Sequence, residues 1–167
     1  MNNPYEIYLG ENNRGYYLFK FEQFDNQGNG RTISWNWAAF LFTGVWALYR
    51  KLYPWFWVFT GLMVFRVILA LAPVLMSVNP TVYATLGVGS AVLYLVVWLG
   101  FALYANSLYH RHVKAKIDQA ESSIRDETTR SEYLRFQGGV NRWVIWGGVA
   151  LFLLVVFGPM VAVHLGR

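Results

Sequence analysis

The sequence predicts an all-α membrane protein. It should have three transmembrane helices, a short interfacial or re-entrant helix, and a cytoplasmic amphipathic helix. Three observations point there. Only 14% of the 167 residues are charged while 56% are hydrophobic, against about 25% charged in ordinary soluble domains. Two apolar runs, 54–76 and 82–109, are long enough to cross a bilayer, and a third follows at 143–165. Aromatic residues make up 19% of the chain, and several Trp stand at the ends of these runs, where their amphipathic rings suit the headgroup level.

Residues 1–34 read as a polar arm without a basic-then-apolar signal peptide, so insertion is expected to use the first hydrophobic helix as an uncleaved anchor. Gly10, Asn12, Asn13 and Gly15 suggest a turn. Tyr17, Phe19 and Phe21 alternate with Leu18, Lys20 and Glu22, a weak strand signal. Asn26, Gly28, Asn29 and Gly30 close the arm as a linker. From 35 to 165 the chain reads as a single helical membrane domain with a cytoplasmic loop at 110–142.

Residues 35–49 are apolar but only 15 long. Spanning takes about 20 residues, so this segment is expected to lie in or dip into the interface; a short true span is the alternative. Arg50, Lys51 and Pro54 then punctuate the chain. Residues 54–76 are apolar except for Arg66 and, at 1.5 Å per residue, cover roughly 35 Å, enough for a core of about 30 Å. Ser77 to Thr81 carries no charge and suits a helical hairpin turn. Residues 82–109 run 28 long without a charge, more than one span needs. The second span should therefore continue outward as a helix through about 135, burying a stripe of Val113, Ile117, Ala120 and Ile124, until Gly138 and Gly139 break it.

Charge placement sets the orientation. Seven of the 14 Lys and Arg lie between Arg111 and Arg142, and no Asp or Glu occurs between Asp25 and Asp118. By the positive-inside rule, the ends bearing Arg50, Lys51 and the 110–142 loop face the cytoplasm, and the 77–81 turn faces out.

Ser34-Trp35-Asn36-Trp37-Ala38-Ala39-Phe40, then Trp46, then Tyr49-Arg50-Lys51-Leu52-Tyr53 resemble a bacterial membrane family known only as a domain of unknown function, number 2628. Gly100 through Ala105-Asn106, Tyr109 and His112 are similar to its second signature. The resemblance covers roughly 34–114. It departs where the family leads us to expect Pro after Gly44 and Met in place of Leu52. It implies a membrane class and a bacterial cytoplasmic (inner) membrane address, and no mechanism.

Polar residues in apolar runs are the candidate contacts with a partner or a lipid. Arg66 sits mid-span, at a cost of about 2.5–3.5 kcal/mol on insertion scales. An antiparallel hairpin would bring it level with Ser90 and Tyr94; the alternative is an Arg that snorkels. Asn106 is expected at an interfacial helix end, meeting the Asn36 or Arg50 region. His110 and His112, two apart, point to different helix faces, and with no third ligand in sight no metal or cofactor is expected. Ala84, Gly87 and Ala91 form a small-residue face, for packing within the chain or for a homodimer seam. The 110–142 loop has seven basic and five acidic residues, a net +2; without interleaved aromatics it does not suggest nucleic acid.

These residues favour a non-catalytic multi-pass protein, an accessory or scaffolding subunit of a larger membrane assembly, with membrane lipids and a partner subunit as its contacts. The alternative is a small transporter or channel component using Arg66. A membrane enzyme would need paired acids or His near the interface, yet the acids all lie in the arm or between 118 and 132.

Overall fold

The computed structural model describes residues 3–28, 32–75 and 79–147. Six helices follow one another: α1 (Pro4–Leu9), α2 (Arg14–Gln27), α3 (Trp37–Tyr49), α4 (Tyr53–Leu75), α5 (Pro80–Ser123) and α6 (Glu127–Gln137). No strand occurs among the described residues.

Helix α2 corrects the strand expected at 17–22. Tyr17, Phe21 and Phe24 are its buried residues, spaced four and three apart. That is a helical period, and the shorter alternation Tyr-Leu-Phe-Lys-Phe-Glu lies inside it by coincidence. The turn around 10–13 forms as expected, with Asn13 in the left-handed region at φ 55°. Gly28 ends α2 at φ 68°. Rather than trailing as an arm, α1 and α2 pack on α5.

Helix α3 starts at Asn36, whose side chain accepts from the Ala39 N–H, as capping residues do. It is kinked at Thr43, whose φ of 43° and ψ of −110° are non-helical. Gly44 follows and packs so near Phe59 that an added Cβ would stand 3.2 Å from the Phe59 Cβ. Its outer face, Trp37, Leu41, Phe42 and Val45, is exposed.

Helices α4 and α5 form an antiparallel hairpin, shown by the rings that meet across it: Trp55 with Phe101 at 5.3 Å and Phe59 with Tyr94 at 6.4 Å. Both are long and apolar enough to cross a membrane by length and composition. At 44 residues α5 is about 66 Å long, so it runs well beyond any bilayer core. Up to Gly100 none of its residues is buried; from Phe101 to Ala120 ten are.

That second half is the spine of a compact cap. Tyr8, Leu9, Tyr17, Phe21, Trp46, Phe101, Ala105, Tyr109, Val113, Ile117 and Leu134 share one core. The helix expected to run to 135 instead breaks at Ile124, which is extended at φ −123°. The physical reason is a cap the periodicity overlooked. The Asp126 carboxylate accepts from the Thr129 N–H at 2.7 Å and starts α6, which returns against α1 and α5. Ile124 is consequently only half-buried. Gly138 does end α6, as the sequence predicts. The Gly139 N–H donates to the Tyr8 carbonyl at 2.7 Å, and a Cβ on Gly138 would fall 2.0 Å from that oxygen. Residues 143–147 are helical; the rest of the expected third span, 143–165, lies outside the described residues.

Candidate functional site

Where cap and hairpin join, the chain buries a set of polar side chains that apolar packing alone would exclude. Buried polar groups cost free energy unless hydrogen-bonded, so their bonds can be traced one by one. Asn106 is fully buried in α5. Its Oδ1 accepts from Asn36 Nδ2 at 2.8 Å. Its Nδ2 faces the Tyr16 hydroxyl at 2.9 Å and the Ser34 hydroxyl at 3.1 Å. The backbone N–H groups of Ser34 and Asn36 donate to the carbonyls of Leu103 and Ala102 at 2.9 and 3.0 Å. An extended segment of two or three residues is thereby latched onto the side of a helix 70 positions away.

Arg50 lies beside this latch and is 2% exposed. Its guanidinium carbon stands 4.4 Å from the Tyr17 ring centre and 5.4 Å from those of Tyr49 and Tyr109. Nη1 donates to the Asn12 carbonyl at 3.4 Å. Among the described residues no carboxylate pairs with it. Arg remains charged in proteins, so aromatic faces and a carbonyl take the place of a counter-ion. A desolvated cation–π contact is worth about 2 kcal/mol, and three rings share this one.

A second cluster joins α1 and α2 to α5. Asp25 Oδ1 lies 3.1 Å from His110 Nε2 and 3.3 Å from Lys114 Nζ. The Tyr5 hydroxyl donates to Asp25 Oδ2 at 3.0 Å. Burial and the neighbouring carboxylate push the Tyr5 pKa well above the usual tyrosine range. His112, on another face, meets the Tyr8 hydroxyl at 3.3 Å. The two histidines therefore lie on different faces of α5, as their spacing implies, yet both reach tyrosines of α1, His110 meeting the Tyr5 hydroxyl at 3.3 Å.

The hairpin site is sparser. Arg66 Nη1 lies 3.5 Å from Ser90 Oγ, the outer limit of a hydrogen bond. Tyr94 turns its ring to Phe59 and does not bond Arg66. Sequence reading named Arg50, Asn106, Arg66, Ser90 and Tyr94. The structure brings Arg50 and Asn106 into one buried cluster and leaves the other three among the spans. It adds Tyr16, Tyr17, Ser34, Asp25 and Lys51, which the sequence reading did not single out. Ser34 and Lys51 carry a signal in the sequence, Ser34 as the first residue of the tryptophan motif and Lys51 beside Arg50 in the second one.

A family model described as "Protein of unknown function (DUF2628)" matches residues 10–114. The chain belongs to this family. The match begins 24 residues before Ser34, where the resemblance was placed, and so includes α2. No curated protein and no solved structure matches the chain. In DUF2628 terms, the matched stretch holds the latch, the Arg50 cage, α4 and α5 as far as Lys114, and stops before α6. Many of these buried polar groups bond across the junction of cap and hairpin, while Trp35 Nε1, Arg50 Nε, the Tyr109 hydroxyl and His110 Nδ1 are buried without a hydrogen-bond partner among the described residues.

Proposed function

We propose that this chain is a non-catalytic multi-pass membrane protein whose apolar hairpin anchors a folded cap at one membrane face. The cap serves as an accessory or scaffolding subunit of a larger assembly. One observation carries the reading. In the most apolar 18-residue stretch of each candidate span only 6% and 11% of the residues are buried inside the chain, while the cap beside them has a closed aromatic core. Met63, Val64, Ile68, Val88, Val92 and Val96 are among the exposed side chains. Soluble monomers rarely expose contiguous apolar patches above a few hundred Å², and lipid is the solvent that such a surface suits.

The cap side faces the cytoplasm of a bacterial inner membrane in this reading. Arg50, Lys51 and Arg111 lie at that end of the hairpin, and the opposite turn is uncharged. The chain has no cysteine, which makes single-cysteine labelling clean. In cells with a permeabilised outer membrane, an impermeant thiol reagent should label Asn79→Cys and spare Ser123→Cys. The reverse pattern would overturn the orientation, and release of the protein by alkaline carbonate would overturn the anchor itself. An accessory role requires a stoichiometric partner in mild detergent; recovery of the chain alone would count against it.

A further inference from the structure

A groove of about 550 Å³ opens where the cap meets the entry of the hairpin. Its lining includes Tyr8, Lys51, Tyr53, His112, Lys116 and Phe136, and no Asp or Glu. Lys51 Nζ donates to the Gln137 carbonyl at 3.1 Å and also to that of Gly138. Its charge therefore meets backbone dipoles at the end of α6 and no acid. Burial lowers its pKa, the mark of a cation short of compensation. Lys116 stands one helical turn beyond His112 and forms no ion pair among the described residues. Two lysines and a histidine thus line one groove that has no carboxylate in its wall.

The apolar part of the lining fixes the depth. Tyr53 and Pro54, in the first turn of α4, belong to it, so the groove opens where the hairpin would enter the bilayer. Phe136, 83% exposed, stands at its edge. Basic pockets at the cytoplasmic end of spans are suited to anionic headgroups, and an apolar edge beside the cations suits the glycerol and first acyl carbons.

We infer that this groove binds the phosphodiester headgroup of an anionic phospholipid, with Lys51 and Lys116 meeting the phosphate. The inference rests on the membrane reading above. A second groove, between α4 and α5, contains Trp55, Val58, Phe101, Tyr104 and Arg111. It holds a single cation and provides an internal control.

The full chain in dodecyl maltoside micelles, titrated with dihexanoyl phosphatidylglycerol, should show a saturable shift of the His112 ring resonance. Lys116→Gln should weaken the affinity about fivefold, the usual worth of one basic residue beside an anionic surface. Lys116→Arg should restore it, and Arg111→Gln should leave it unchanged. Dihexanoyl phosphatidylcholine acting equally well, or Lys116→Gln titrating like the parent, would overturn the site. Inorganic phosphate matching the lipid would overturn the assignment to a lipid. Loss of binding in Arg111→Gln alone would move the anion to the other groove. Micelles require no bilayer crossing, so failure here leaves the anchor intact, and release by carbonate would sink the anchor without touching this result.

Discussion

Along α5, the residues before Gly100 and those after it form one continuous helix yet meet opposite surroundings. From Pro80 to Gly100 none is buried, and of the half-buried ones Tyr83, Gly87, Ser90, Tyr94 and Val97 fall every three or four positions along one stripe, with Trp98 and Gly100 beside its end. Phe59 of α4 meets the stripe at Tyr94, Trp98 donates to the Phe40 carbonyl of α3, and most of the remainder is apolar and exposed. From Phe101 to Ala120 the same helix buries ten residues, three of them polar (Asn106, Ser107 and His110). Helix geometry is identical in both halves, so the difference lies in what surrounds them. One half leaves its apolar exterior uncovered by the other described residues, and the other uses its exterior to collect α1, α2, α3 and α6. The small residues Ala84 and Ala91 are exposed and Gly87 half-buried, so only part of the small-residue face is taken up within the chain.

The sharpest way to break this comparison is to place the same charge in each half. Ile117 is 7% exposed and Val96 62%. Ile117→Asp buries a carboxylate without a partner and should cost about 4 kcal/mol or more of cap stability, read as early thermal unfolding and protease sensitivity in detergent. Val96→Asp should leave the cap's unfolding unchanged and instead lower membrane yield, since Asp at mid-span costs about 2.5–3.5 kcal/mol on insertion scales. Normal membrane yield for Val96→Asp would show that this half does not sit in lipid. Gln119→Asp, exposed on the same cap helix, should change neither.

A smaller contrast comes from the polar pairs. Asn106→Leu strands the Asn36 amide, Tyr16 and Ser34, and should destabilise the cap by roughly 2–4 kcal/mol, the cost of two or so unsatisfied buried groups. Ser90→Ala removes a contact with Arg66 at the 3.5 Å limit and a bond to the Gly87 carbonyl of its own helix, whose backbone partner remains, and should stay within about 0.5 kcal/mol. Equal effects in thermal unfolding would erase the distinction between hub and hairpin.

The smallest expected effect sits at α6. Hydrogen bonds from the Thr129 hydroxyl and N–H hold the Asp126 pKa below the usual carboxylate value. A depressed folded-state pKa gives stability that is present above the unfolded value and lost as pH falls through the folded one. Protection of the α6 amides, taken relative to their intrinsic exchange at each pH, should therefore fall in acid, below the ordinary Asp range, and Asp126→Asn should flatten that dependence. An unchanged acid response in Asp126→Asn would assign it to another group.

Run length and composition are local properties, and the sequence determined what depends on them. The helix expected at 54–76 is α4 at Tyr53–Leu75, the overlong second run is one helix, and Gly138 ends α6. Even the meeting of Asn106 with Asn36 could be anticipated, because a polar residue at an apolar helix end needs a partner. The tertiary structure alone decided the rest. Tyr17 and Tyr109, 92 positions apart in sequence, become two walls of the Arg50 cage only when α2 and α3 dock on α5. Ser34 and Asn36 can donate to Leu103 and Ala102 only once an extended segment lies along that helix. The break at Ile124 lets α6 return, close the core over Leu134 and hand its last carbonyls to Lys51. Such bonds are fixed by the packing of elements distant in sequence, and periodicity carries no information about them.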